Sequence, residues 1–452
     1  MQIKNRKLKV NNKGITLIAL VITIIVLLIL AGVAIATLTG DNGILTKAAS
    51  SKEKTDKASA EEAVKLEYLG SIDNTGKFNY EDFKTNVKNN LGLQDTDIID
   101  NGDNTCTVKY NGYDVTLDIA TGNIVVPLEP AKVGEIVTGS NKKYTEGGET
   151  AVIPVGFGIV PGLDDISEGL VITDHFNETT GKSDGNEFVW IPVPTVVAES
   201  EEQGTANKAM AINLGTAENP QYRGLLYDFT DTGSEVMSGC TTTTDYYREP
   251  AYLTDSSYAD ASSYNTVGIT EESLQSDYNN MIKSVNINHG FYVARYEISL
   301  DENKNAQSKK NERSSDASQT DTNSWYGLYT KAKTYNKASV VSSMIWGSQY
   351  DAMMNWMHKD SNINVNSPTP VTGAVRNQDT ERRTGYVETD KIKNVYDLLG
   401  NSREWTLEAN NSGFRVYRGG NYSYSFLPAY CSNDNPISTY DGYGSRLTLY
   451  IK

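Results

Sequence analysis

Thiolate, disulfide or transition-metal chemistry in this chain would have to come from Cys106, Cys240 and Cys431 and from His175, His289 and His358. No two cysteines stand at C-x-x-C spacing, the odd count builds no disulfide framework, and the histidines lack ligand spacing. One disulfide pair remains open. Cys431 has no histidine beside it in sequence to activate it, so we read it as a free or structural cysteine rather than a nucleophile. The remaining chemistry is that of contact. Between Asn421 and Arg446, 26 residues hold five Tyr, five Ser and three Asn, a dense share of the 28 Tyr in the whole chain. Tyrosine gives large contact area at low conformational entropy, and Ser, Asn and Asp give adaptable hydrogen bonds, the composition of a recognition surface.

Charge and length bound what those residues can serve. The chain has 452 residues and a net charge of −16. That acidity excludes nucleic acid as a partner, because phosphate binding needs clustered Lys and Arg that release counterions. The length allows two or three domains.

The elements that would position the tail begin at the N-terminus. Lys4, Arg6, Lys7, Lys9 and Lys13 precede an uncharged run from Ile15 to Leu38. As a helix those residues would span about 36 Å, enough for a hydrocarbon layer of about 30 Å. The expectation is a single-pass membrane segment over 15–38, its basic flank cytoplasmic and everything after it outside the cell. From Lys47 to Leu69, Ala60, Val64 and Tyr68 recur every fourth residue, which predicts a polar helical stalk. Beyond it come a short helix near Tyr80 to Asn90 and strands at Thr105 to Tyr110 and Tyr113 to Ile119, joined by Asn111-Gly112, a hairpin signal. Pro127 to Pro130 reads as a break. Strands are expected at Val152 to Val160 and Glu187 to Val193. Two helices follow, Thr270 to Val285 with Leu274, Tyr278, Met281 and Val285 on one face, and Ser343 to Met357 with Trp346, Tyr350, Met353 and Met357 on one face. Asp301 to Thr322 reads as a surface loop.

The order of basic leader, Lys13-Gly14, Ile15-Thr16-Leu17-Ile18 and apolar helix resembles the N-terminus of type IV prepilins and pseudopilins. The resemblance implies cleavage by prepilin peptidase between Gly14 and Ile15. Where that family usually has Glu at the fifth mature residue this chain has Ala19, which removes the carboxylate that sets subunit register. Assembly beside other pilin subunits is then expected as a tip or minor subunit rather than as a major repeating one.

Further on, Gly290-Phe291-Tyr292-Val293-Ala294-Arg295-Tyr296-Glu297, Trp346-Gly347 to Trp356, Asn394 to Trp405, Arg415-Val416-Tyr417-Arg418-Gly419-Gly420-Asn421 and Gly444-Ser445-Arg446-Leu447 occur in sequence order. Together they resemble the formylglycine-generating enzyme, or sulfatase-modifying factor, family, whose domain is a variant of the C-type lectin fold. The oxidase chemistry of that family needs two cysteines, which fall here on Tyr424 and Ala429, so no enzymatic activity is expected. The Gly-Asn-x-x-Glu-Trp pattern implies a structural calcium ion at Asn401 and Glu404. With Ser402-Arg403 in place of the usual Val-Trp, Arg403 offers Glu404 a salt bridge instead. In lectin-like folds the terminal segment lines the ligand face, which makes Tyr422, Tyr424, Tyr430, Asn433, Asp434, Asn435, Tyr440, Asp441 and Tyr443 the binding candidates. The tail also resembles that of the variable proteins of diversity-generating retroelements.

These readings combine into an α+β chain: a prepilin leader (1–14), a transmembrane pilin-like helix and stalk (15–70), a small α+β module (71–128), and a formylglycine-generating-enzyme-like, C-type lectin-like domain (131–452). The expected function is display of a non-catalytic ligand-binding domain at the cell membrane for a protein or carbohydrate ligand. The alternative is a minor pilin or pseudopilin with a structural role.

Overall fold

The computed structural model describes residues 22, 24–26 and 44–452, apart from 74–77, 102–104, 120, 126–127, 217–218, 226–245, 250, 254–260, 314–322, 359–364, 366–379, 424–427 and 441. Two compact units divide at Pro127 and Leu128.

In the first unit, helix Ile44–Leu69 lies against helix Tyr80–Leu91 and an antiparallel sheet of Ile98–Asp100, Thr105–Tyr110, Tyr113–Asp118 and Ile124–Val125. The four-residue recurrence of Ala60, Val64 and Tyr68 has its cause here, since all three are buried in the core of this unit with Phe83, Val87 and Val108. The helix therefore packs over its second half and is not a free spacer. The second helix starts where the Asn79 side chain accepts from the Glu81 and Asp82 backbone N–H groups, and it stops at Gly92 in the left-handed region. Asn111 and Gly112 both have positive φ, 50° and 82°, as a tight hairpin between right-twisted strands requires. Cys106 is a free thiol within this core, and burial pushes its pKa up to about 11.

The second unit is organised by a six-stranded sheet in the order Val340–Met344, Leu447–Ile451, Gly290–Ala294, Glu187–Pro192, Val171–Thr173, Gly158–Ile159. Its strands are buried on both faces, which explains the continuous apolar runs Phe188 to Ile191 and Phe291 to Ala294. Helix Glu271–Asn288 covers one side through Leu274, Tyr278, Met281 and Val285, and Thr270 caps it reciprocally with Ser273. Helix Gly347–His358 buries Tyr350, Met353 and Met357. Residues 343 and 344, expected to be helical, instead end the strand Val340–Met344, because its β-branched start pairs with the terminal strand from Val340↔Ile451 to Met344↔Leu447. The single strand expected from Val152 to Val160 is two, Glu149–Ile153 and Gly158–Ile159, parted at Pro154 and at Gly156, whose φ is 87°. Within the expected loop 301–322, Ala306, Gln307 and Ser308 are buried, because a short hairpin pairs Ser299–Leu300 with Ala306–Gln307.

Two expectations are overturned. The α+β architecture built on a transmembrane pilin-like helix and a lectin-like domain gives way to a chain that is mostly sheet, with several small sheets and a few helices among the described residues. Short apolar runs punctuated by Gly, Pro, Asn and Asp favour many short strands over long helices. The single-pass membrane location is not supported either. Among the described residues no helix is long and apolar enough to cross a membrane. The longest, Ile44–Leu69, carries Lys, Glu and Asp along its length. Apart from residues 22 and 24–26, the segment 15–38 lies outside the described residues, as do Gly14 and Ile15.

Candidate functional site

The tail is carried by a five-stranded sheet. Strand Arg403–Asn410 pairs antiparallel with Arg415–Arg418, which pairs with Cys431–Asp434, while Tyr443–Ser445 runs parallel to the first strand and Tyr246–Tyr247 pairs at its far end. Successive side chains alternate between faces. Glu408 pairs with Arg418 and Glu404 with Arg446 in the buried ionic layer on one side, whereas Trp405, Tyr417 and Tyr443 form an aromatic cluster on the other.

The ionic layer is fully enclosed. Arg418 Nε and Nη2 donate to Glu408 at 2.8 and 2.7 Å, and Nη2 donates to Asp351 at 3.0 Å. Arg248 completes a four-membered network with Asp351 at 2.8 Å and Glu408 at 2.9 Å. Burial alone would raise the Glu408 pKa, but Arg418 and Arg248 hold it below its ordinary value. For Arg418 the balance is the mirror image: burial opposes its charge, and Glu408 with Asp351 raises its pKa nonetheless. Beside this network Arg446 donates to both oxygens of Glu404 and to the carbonyls of Ala294 and Tyr396 at 2.9 and 2.7 Å.

The two residues expected to hold calcium both have protein partners in this arrangement. Asn401 turns its amide nitrogen to Glu297 Oε2 at 2.5 Å, and its Oδ1 accepts from the Arg382 backbone N–H at 2.8 Å. Glu404 is engaged by Arg446, and the Arg403 guanidinium lies 4.9 Å over the Tyr417 ring. Among the described residues no group of three or more His, Cys, Asp or Glu is placed to hold a metal. Around these two residues lies a buried acidic cluster. Glu297 is held well above its ordinary pKa by burial and then by Asp397, Glu404 and Glu381, and burial together with Asp390 pushes Asp397 up to about 7. Asp397 Oδ2 accepts from the Gly385 N–H at 2.7 Å.

The aromatic layer leads out to solvent. Trp405 and Tyr443 ring centroids lie 4.8 Å apart, Tyr443 and Tyr417 5.4 Å, and Tyr440 and Tyr443 5.8 Å. Tyr440 is 65% exposed and Ile437 56% exposed. The Tyr443 hydroxyl donates to Asp434 Oδ2 at 2.7 Å, and Asp434 Oδ1 accepts from the Asn435 N–H and the Ser438 hydroxyl. Asn435 Oδ1 in turn accepts from the Ile437 N–H at 3.0 Å. Asp434 and Asn435 thus fold the loop that presents Ile437 and Tyr440.

The nine candidates divide accordingly. Tyr440 is exposed. Tyr422, Tyr430, Asn433, Asp434 and Asn435 are half-buried, and Tyr443 is buried as the support beneath Tyr440. Tyr422 packs so closely on Gly442, whose φ is 85°, that any side chain at 442 would collide with its ring. Tyr424 and Asp441 lie outside the described residues. The sequence reading missed Ile437 at the rim, and Arg403 and Tyr417 in the supporting layer. Arg403 was legible only through its parallel register with Tyr443. Cys431 is buried and disulfide-bonded, at the start of the strand that leads into this loop, so it presents no thiol.

No protein-family model, curated protein or solved structure matches the chain.

Proposed function

We propose that this chain is a non-catalytic binding protein whose contact surface is the face carrying Tyr422, Tyr430, Ile437 and Tyr440, and that its ligand is a protein or carbohydrate surface. The observation that carries the reading is Tyr440, an exposed ring tilted against a buried Tyr443 that is itself pinned by Asp434 and backed by Trp405. A large aromatic side chain held open costs solvation, and a rigid support beneath it lowers the entropy lost when a partner docks. The resemblance of the tail to the variable segments of diversity-generating retroelements supports the same reading.

The test is to probe arrays of displayed proteins and glycans with the full chain and with Tyr440→Ser. A ligand bound by the first and lost in the second, at unchanged thermal midpoint, is the expected result. Equal binding by both, or no ligand for either, would sink the reading. Sequencing of codons 421–446 across one growing population tests diversification separately, with variation at adenine positions as the expected outcome.

A further inference from the structure

A second concavity, sharing no residue with the tyrosine-rich face, lies where helix Glu271–Asn288 and the turn after helix Trp325–Ala332 meet the ends of strands Val340–Met344 and Leu447–Ile451. Its volume is about 230 Å³. Trp346 and Tyr450, both buried, and half-buried Val341 give it apolar walls, and Asp277 and Lys333 supply polar groups. Drug-sized pockets span roughly 300–1,000 Å³, so this one suits a single small ring.

Its electrostatics narrow the ligand further. Lys333 Nζ lies 2.8 Å from Asp277 Oδ2 and 4.6 Å over the centre of the Tyr329 ring. Burial works against the ammonium, yet the hydrogen bonds to Asp277 and Tyr329 hold its pKa above the ordinary value, and the 2.8 Å contact makes the Lys333–Asp277 pair a complementary unit of donor and acceptor. An anion would have to draw Lys333 away from Asp277, and a cation would have to do the reverse, each leaving a partly desolvated charge without its partner. A neutral ligand whose groups both donate and accept avoids that loss. Adjacent hydroxyls meet this requirement, one donating to the carboxylate and the next accepting from the ammonium. The apolar face of a sugar ring then has Trp346, Tyr450 and Val341 to lie against. Lys452 at the rim is exposed, and its charge is screened by solvent.

We propose that this pocket binds a neutral monosaccharide unit, with Asp277 and Lys333 sharing a pair of vicinal hydroxyls and the aromatic wall taking the C–H face of the ring.

The experiment is saturation-transfer NMR followed by calorimetric titration of the full chain with the methyl α-pyranosides of glucose, galactose and mannose. With so few contacting atoms, at least one should bind with a dissociation constant on the order of millimolar. Asp277→Ala and Lys333→Met should each weaken that binding by about tenfold or more, because each removes a charged hydrogen-bonding group. Glu302→Ala, exposed on a separate hairpin, should leave it unchanged. Asp277 and Lys333 have side chains 39% and 42% exposed, so either variant should fold, which a thermal melt checks. Absence of saturation transfer from all three glycosides overturns the proposal. So does equal affinity in both variants, or binding of acetate or glycine where the glycosides fail.

Discussion

The two sides of the five-stranded sheet hold their side chains by opposite means. On one, Arg418, Glu408, Asp351 and Arg248 are wholly enclosed and tied to one another by ion pairs. On the other, Trp405, Tyr417 and Tyr443 are in aromatic contact and the series ends in the open ring of Tyr440. The ionic side tolerates no loss, since removing one partner strands a charge out of water. The aromatic side is graded in burial, from the enclosed ring of Trp405 to the 65% exposed ring of Tyr440.

Breaking the ionic side should have the largest effect. Arg418→Met leaves Glu408 and Asp351 with Arg248 alone, and a loss of about 3–5 kcal/mol in denaturant unfolding is expected. A loss below about 1 kcal/mol would mean that the enclosed network contributes no more than a surface pair.

Next comes the acidic cluster beside it. Asp397 is pushed up to about 7, above its ordinary value of 3.8, so the folded state holds a proton that the unfolded state releases. Its contribution is fully present below pH 3.8, declines as pH rises, and is gone once pH passes about 7. Asp397→Asn keeps an oxygen for the Gly385 N–H and abolishes that decline. Between those limits the wild type should lose up to about 1.4 kcal/mol per pH unit more than the variant. Parallel stability curves for the two proteins would show that Asp397 titrates normally.

On the aromatic side, Tyr443→Phe removes the hydroxyl that donates to Asp434 but keeps the ring, and about 1 kcal/mol is the expected loss. Smallest of all, Tyr440→Ser should change stability by no more than about 0.5 kcal/mol, because the ring it removes is mostly in water. A larger loss from Tyr440→Ser than from Tyr443→Phe would reverse the order of support and contact.

Periodicity made part of this legible in advance. Leu274, Tyr278, Met281 and Val285 recur at helical spacing and are all buried, and Asn111-Gly112 forms its hairpin. Which tail tyrosine faces outward was not legible, because it depends on Tyr443 pairing with Arg403, forty residues earlier and in parallel. Arg446 was visible as part of a terminal motif, yet its partner Glu404 lies 42 positions away, and the nearer Arg403 was the natural guess. The same distance problem hid the ionic network, in which Arg248 and Asp351 are 103 positions apart. Residue 344 went astray for a different reason: Ser343 to Met357 has one apolar rhythm, but its first residues are captured by Leu447–Ile451.

That captured strand governs when the second unit can exist. Leu447–Ile451 lies between Val340–Met344 and Gly290–Ala294, so neither neighbour has its hydrogen-bonding edge covered until residues 447–451 have been synthesised. Formation of the sheet is thereby deferred to a late, sequence-distant step, the kind that slows folding. A polypeptide interrupted within the tyrosine-rich tail would leave two apolar strand edges open to self-association. The pairing that holds Val340–Met344 and Gly290–Ala294 together is thus carried by residues that follow the tyrosine-rich tail in sequence.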